Sequence, residues 1–155
     1  MPRPKKSRLV NEPPIFTEFK PVGIGGRFID TITLTIDEYE ALRLADFEGM
    51  SHEQAAEEMN ISRPTFTRLL DSAHQKVAQM LVQGKRLVIE GGNVDFRFSI
   101  VRCANCGQMF RIPFGQTLDA CPNCGSTNLI YLGHPSVGGR HGMRHGRGKG
   151  RGRRF

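Results

Sequence analysis

Four cysteines in two matched pairs constrain this chain more than any other feature. Cys103-Ala-Asn-Cys106-Gly and Cys121-Pro-Asn-Cys124-Gly are separated by 14 residues. In each pair the two sulfurs share one tight turn, the glycine lets that turn close, and backbone amides point at the sulfurs. Four such thiolates complete a tetrahedral site for one metal ion. Because protein fills every position, no place remains for a catalytic water, so the site is structural. Zinc bound by Cys103, Cys106, Cys121 and Cys124 is the expectation. Iron is the alternative, because a sulfur tetrahedron suits either ion.

Met109–Phe114 and Asn128–Leu132 alternate like strands around the second pair. Residues 93–132 then form a small β module, a zinc ribbon too small to bury a core of its own. Metal binding supplies its folding energy. A chain of 155 residues suits one or two small domains. The opening, MPRPKKSRLVNEPP, has charge but no apolar stretch behind it. No apolar run approaches the roughly 18 residues of a membrane span. A cytoplasmic, reducing location is therefore expected, with thiols ready for metal rather than disulfides.

Upstream the pattern is helical. Thr35 and Glu38 read as a capping box opening a helix with Tyr39, Ala41, Leu42, Leu44 and Ala45 inward, stopped by Gly49. Ser51 and Gln54 read as a second box, opening a short helix with Ala55, Ala56 and Met59 inward. Asn60-Ile61 makes a turn. Ser62 caps a third helix, in which Pro64 loses no intrahelical bond. Phe66, Leu69, Leu70, Ala73, Val77, Met80 and Leu81 give it an apolar face until Gly84. A short helix, a tight turn and a longer helix describe a helix-turn-helix. The expected fold is a mainly α, tri-helical unit at residues 31–92, winged-helix-like or sigma region 4-like, followed by the ribbon. Arg86–Glu90 and Phe96–Ile100 read as a strand pair turning at Gly91-Gly92.

Charge is unevenly placed. Residues 31–59 hold Arg43 against Asp37, Glu38, Glu40, Asp46, Glu48, Glu53, Glu57 and Glu58, a net of −7, read as solvated helix faces. The third helix instead opens with Arg63, Pro64, Thr65, Thr67 and Arg68, and its first two turns hold no acid. Arginine suits bidentate contact with guanine, and a helix start of this kind can enter a major groove. Residues 1–30, with Arg3, Lys5 and Lys6, read as an extended basic arm for phosphates or a minor groove. Residues 133–155 carry seven Lys and Arg, no acid and eight glycines. Such a segment cannot fold alone and suits generic nucleic-acid contact, with metal capture by its histidines as a further alternative.

From Pro2 to Gly92 the chain reads PRPKK, then FKP, then LTIDEYEALRLADFEGMSHEQAAEEMNISRPTFTRLLDSAHQKVAQMLVQGKRLVIEGG. This run resembles a prokaryotic family of small uncharacterised proteins regarded as DNA-binding, with a helix-turn-helix similar to sigma-factor region 4. By position, the resemblance implicates Arg63, Pro64, Thr67 and Arg68 in base contact. Pro64 departs from the sigma pattern, which has a charged residue there, so promoter recognition is not carried over. The sigma regions that hold core polymerase are absent. The cysteine pairs in turn resemble the knuckles of rubredoxin.

The sequence therefore points to a DNA-binding protein, a transcriptional regulator with duplex DNA as partner and no membrane. Paired half-sites would fit a homodimer. Two alternatives stand beside it: an iron electron carrier of the rubredoxin kind, and an RNA or protein interaction adaptor. No Ser/His/Asp set, phosphate loop or open metal site supports an enzyme.

Overall fold

The computed structural model describes residues 6–23 and 29–132. Arg3 and Lys5 of the arm, and the whole of 133–155, lie outside these residues. The elements run β1 (Arg8–Val10), β2 (Glu18–Phe19), β3 (Thr31–Leu34), α1 (Ile36–Leu42), α2 (His52–Glu58), α3 (Arg63–Gln83), β4 (Arg86–Ile89), β5 (Val94–Phe96), β6 (Phe98–Cys103), β7 (Met109–Pro113) and β8 (Leu129–Leu132). No helix among the described residues is long and apolar enough to cross a membrane.

Local chemistry sets the helix ends. The Thr35 hydroxyl accepts the Glu38 amide and starts α1. Its capping box is only half formed, because the Glu38 carboxylate is taken by Lys76, 2.7 Å away. The Ser51–Gln54 box is complete. Ser62 caps α3 at the Thr65 amide, Pro64 sits in its first turn, and Gly84 ends it at φ 63° in the left-handed region that glycine tolerates. After α1 the chain widens into one π-helical turn, Arg43–Phe47, with the Glu48 amide bonding the Arg43 carbonyl at 2.9 Å. That turn was not legible in the apolar spacing.

α3 spans two apolar clusters. Its first half buries Phe66 and Leu70 among Ala41, Leu44, Ala55, Ala56 and Met59. Full burial of an aromatic ring of this kind contributes about 1.5–3 kcal/mol. Its second half turns Ala73 toward Leu34, Leu87 and Ile89 of a small mixed sheet. Leu81, expected on the inward stripe, is instead 72% exposed, as is its neighbour Val82 at 85%. In this last turn Met80 is the side chain that packs against the sheet cluster, while Leu81 and Val82 face outward.

The strands correct two expectations. The expected extended arm is in part regular structure docked on the rest of the fold: β1 pairs in parallel with β5, β2 pairs with β4, and Pro13 and Pro14 are buried. The Leu9 amide bonds the Met59 carbonyl and Arg8 bonds Asp37, so this segment is sewn to the helices. Second, β4 does not turn back on the strand after it. It lies between β2, antiparallel, and β3, parallel. Gly91 and Gly92, at φ 76° and 93°, carry the chain away, and the Ile36 amide holds the Gly91 carbonyl.

The acids of α1 are a third correction, because they are not solvated. Asp37, Glu38 and Glu40 are buried, and each has a cation from a different place in the chain: Arg8 at 2.6 Å, Lys76 at 2.7 Å and Arg43 at 2.7 Å. Buried charge survives only when paired in this way. The remaining strands form a separate antiparallel sheet, ordered β7-β6-β8, around buried Ile100, Val101 and Ile112. Arg97, just ahead of β6, pairs with Glu58 of α2 at 2.8 Å, and Arg111 of β7 pairs with Glu12, just after β1, at 3.1 Å.

Candidate metal centre and nucleic-acid interface

β6 delivers Cys103 at its end, and the turn before β7 delivers Cys106. Cys121 and Cys124 come from the matching turn ahead of β8. In both turns the glycine after the second cysteine, Gly107 or Gly125, has φ near 74° (75° and 73°) and donates its amide to the first cysteine's carbonyl. The four Sγ atoms lie within 4.8 Å of one another. Cys103 and Cys124 are 3.6 Å apart, and Cys106 and Cys121 are 3.7 Å apart. A tetrahedron built on metal–sulfur bonds of zinc length has edges of about 3.8 Å, so the four thiols fit one ion. The same spacing is too long for a disulfide.

The surroundings of the sulfurs favour thiolates at two corners. Cys106 is drawn down to about 6, chiefly by the Gln108 backbone amide and then by the Asn123 side chain. Cys124 is also lowered, by the Ser126 amide and by Asn105, whose Nδ2 lies 3.6 Å from the sulfur. Burial pushes Cys121 up to about 11. An ion would supply the charge that a buried Cys121 thiolate otherwise lacks. Ligation by these four residues therefore resolves an electrostatic mismatch that the bare thiols retain.

The second region is the start of α3. Arg63, Pro64 and Arg68 are exposed. Arg63 reaches Glu53 of α2 at 3.3 Å, with both side chains well exposed. Arg68 makes no ion pair or hydrogen bond among the described residues. The two threonines differ. Thr65 Oγ1 lies 2.8 Å from the Ser62 hydroxyl and belongs to the cap. Thr67 Oγ1 lies 2.9 Å from His52 Nδ1, and the His52 ring also stands edge-on to Phe66 at 5.4 Å. His52 was missed in the sequence, where nothing marks a histidine in a helix's first turn as a brace. Lys6 opens beside this end of α3, in a cleft shared with Arg8, Glu57, Asn60, Ile61, Ser62 and Thr65.

Comparison with known proteins bears on these two regions differently. A family described as "Protein of unknown function DUF134" matches residues 1–97, which is β1 to β5 with all three helices. The chain belongs to this family. A UPF0251 protein of Chloroherpeton thalassium is 42% identical over 144 residues, covering 93% of this chain and 95% of its own. One from Moorella thermoacetica is 44% identical over 147 residues, covering 95% and 96%. One from Thermoanaerobacter pseudethanolicus is 53% identical over 93 residues, covering 60% and 79%. The longer alignments cannot be confined to the 97 residues of the DUF134 match, so they extend into the part of the chain that holds the cysteine-bearing sheet. No solved structure matches the chain.

Proposed function

We propose that this chain is a duplex-DNA-binding transcriptional regulator. In this reading α2, the Asn60–Ile61 turn and α3 are a helix-turn-helix, and α3 enters the major groove. The observation that carries the reading is the outward face of α3. Arg63, Pro64 and Arg68 lie on two acid-free turns, held rigid by Phe66 and Leu70 buried directly behind them. Arg68 has no ion-pair or hydrogen-bond partner to give up among the described residues. The Arg63–Glu53 pair is exposed and worth at most about 1 kcal/mol, so a phosphate or a guanine edge can replace it. Thr65 and Thr67 then act as cap and brace, with His52 fixing Thr67, while the arginines make the contacts. Lys6 lies beside the same helix end, and a basic arm of this kind suits backbone or minor-groove contact, the role this reading gives to Arg3, Lys5 and Lys6.

The four-cysteine sheet is, in this reading, a zinc ribbon that stiffens the base of the reader through Arg97 and Arg111. Cytoplasmic location and half-site dimerisation follow from the same reading. The test is selection from a random duplex library by the zinc-loaded full chain at raised salt, which suppresses generic contact by 133–155. An enriched motif is expected, and Arg68→Ala should cost about 1–3 kcal/mol and relax preference at one base pair. Failure to enrich any motif would refute the reading.

One observation favours a second reading. Cys106 and Cys124 are exposed, so one edge of the sulfur cluster faces solvent, as an electron-transfer iron would require. Purified protein that is red and bleaches on reduction would establish it. Colourless protein with one zinc would exclude it.

A further inference from the structure

The π-helical turn after α1 leaves an unusual feature away from the arginines of α3. Phe47 is 83% exposed, at the edge of a groove of about 610 Å³ whose floor is Tyr39 and Leu42. Glu12, Asp46 and Glu48 line its rim. Arg43 is the one basic residue in the lining, and it is already held by Glu40 and Glu48. An aromatic ring left in water amid carboxylates suits a ligand that is cationic and carries its own apolar anchor. Each rim acid has a basic side chain beside it, Arg111 at Glu12, Arg43 at Glu48 and His74 at Asp46, but with Glu40 also on Arg43 the carboxylates outnumber the Arg side chains, which favours a cationic ligand over a phosphate.

The chain itself contains a segment of this chemistry. Residues 133–155 hold six arginines and Lys149, no acid, and Phe155 as their one aromatic residue, next to Arg153 and Arg154. The point of departure is close. Leu132 stands opposite Ile100 in the β7-β6-β8 sheet, and Arg111 stands opposite Ile100 on the other side. Two strand spacings put Leu132 about 10 Å from Arg111. Arg111 reaches Glu12 on the groove rim at 3.1 Å. A stretch of 23 residues spans up to about 75 Å, so the groove lies well within its reach.

We propose that residues 133–155 dock intramolecularly in this groove, with Phe155 against Phe47 and the neighbouring arginines among Glu12, Asp46 and Glu48. Tethering supplies an effective concentration in the millimolar range, enough to make a modest contact dominant. Docked, the basic segment is withheld from polyanions. A strong polyanion or high salt releases it. The inference does not depend on the DNA reading, and its test contains no nucleic acid.

The experiment is zero-length carbodiimide coupling in the full chain, mapped by mass spectrometry. Lys149 is expected to couple to Asp46, Glu48 or Glu12, and not to exposed acids elsewhere such as Asp71 and Glu90. Phe47→Ser and Phe155→Ser leave every carboxylate and amine in place. Each should weaken docking by about tenfold, with a several-fold drop in the coupled product. Phe47 is exposed, so its replacement should leave the helical circular dichroism unchanged. Coupling spread evenly over all exposed acids, or unaffected by both substitutions, would overturn the proposal. An equal mixture of ¹⁴N and ¹⁵N protein separates the two geometries. Products of single isotope support the intramolecular contact, and mixed-isotope products overturn it.

Discussion

Lys76 and Glu38 give the sharpest test of how this fold treats its acidic stretch. Glu38 sits in the first turn of α1, its side chain 8% exposed, with Oε1 bonded to Lys76 Nζ at 2.7 Å. Its Oε2 is buried without a hydrogen bond among the described residues. The Lys76→Met substitution keeps the stem of the side chain and removes the one cation paired with that carboxylate among the described residues. At an effective dielectric near 20, a pair at this distance attracts by about 6 kcal/mol, most of it offset by desolvation. Losing one partner of a fully buried pair costs about 3–5 kcal/mol. Lys76 is 26% exposed, so water can partly replace it, and about 2–3 kcal/mol is expected. Replacing both, Glu38→Leu with Lys76→Met, removes the stranded charge and should bring stability back to within about 1 kcal/mol of the parent. The assay is urea unfolding of both variants and the parent at pH 7, with the metal content held equal. A loss under about 0.5 kcal/mol for Lys76→Met would refute the argument. It would mean that Glu38 is solvated, as the sequence alone suggests.

Gly92 has φ 93°, and a Cβ there would lie 2.8 Å from Asp37 Oδ1, the acid that anchors Arg8. Gly92→Ala should therefore cost about 1–3 kcal/mol in thermal or urea unfolding, and a neutral result would show that the turn and the β1 anchor give way freely. Tyr39 has its phenol raised above 10.0, first by burial and then by Glu40. The folded state thus holds this proton longer than the unfolded state. The resulting stabilisation is complete below pH 10 and is lost as pH climbs through the higher folded value. Tyr39→Phe should match the parent at pH 7 and decline less steeply above pH 10. Chelation of the metal should release one ion and collapse protection of β6–β8 in hydrogen exchange, leaving the α3 amides slow, because the two apolar clusters on α3 contain no residue of that sheet. Simultaneous loss of both would show one cooperative unit.

Much of this was legible in the sequence because the signals are local. Hydroxyls at Thr35, Ser51 and Ser62, glycine at Gly84 and the paired cysteines each act within a few residues, so spacing alone locates helix starts, a helix stop and a metal-sized cluster. Contacts between distant residues were not legible. Asp37, Glu38 and Glu40 look like a solvated face until Arg8 and Lys76, 29 and 38 residues away, arrive to pair with them. β1 and β2 look irregular because three and two residues carry no period, and only their ladders to β5 and β4 make them strands. Nothing in the sequence pairs Thr67 with His52, 15 residues away, whose Nδ1 lies 2.9 Å from its hydroxyl. The residue types and their spacing determined the helices and the sulfur cluster. The tertiary structure decided which charges are buried, which strands pair and which side chains of α3 face outward, since burial and long-range pairing depend on what the rest of the chain brings alongside.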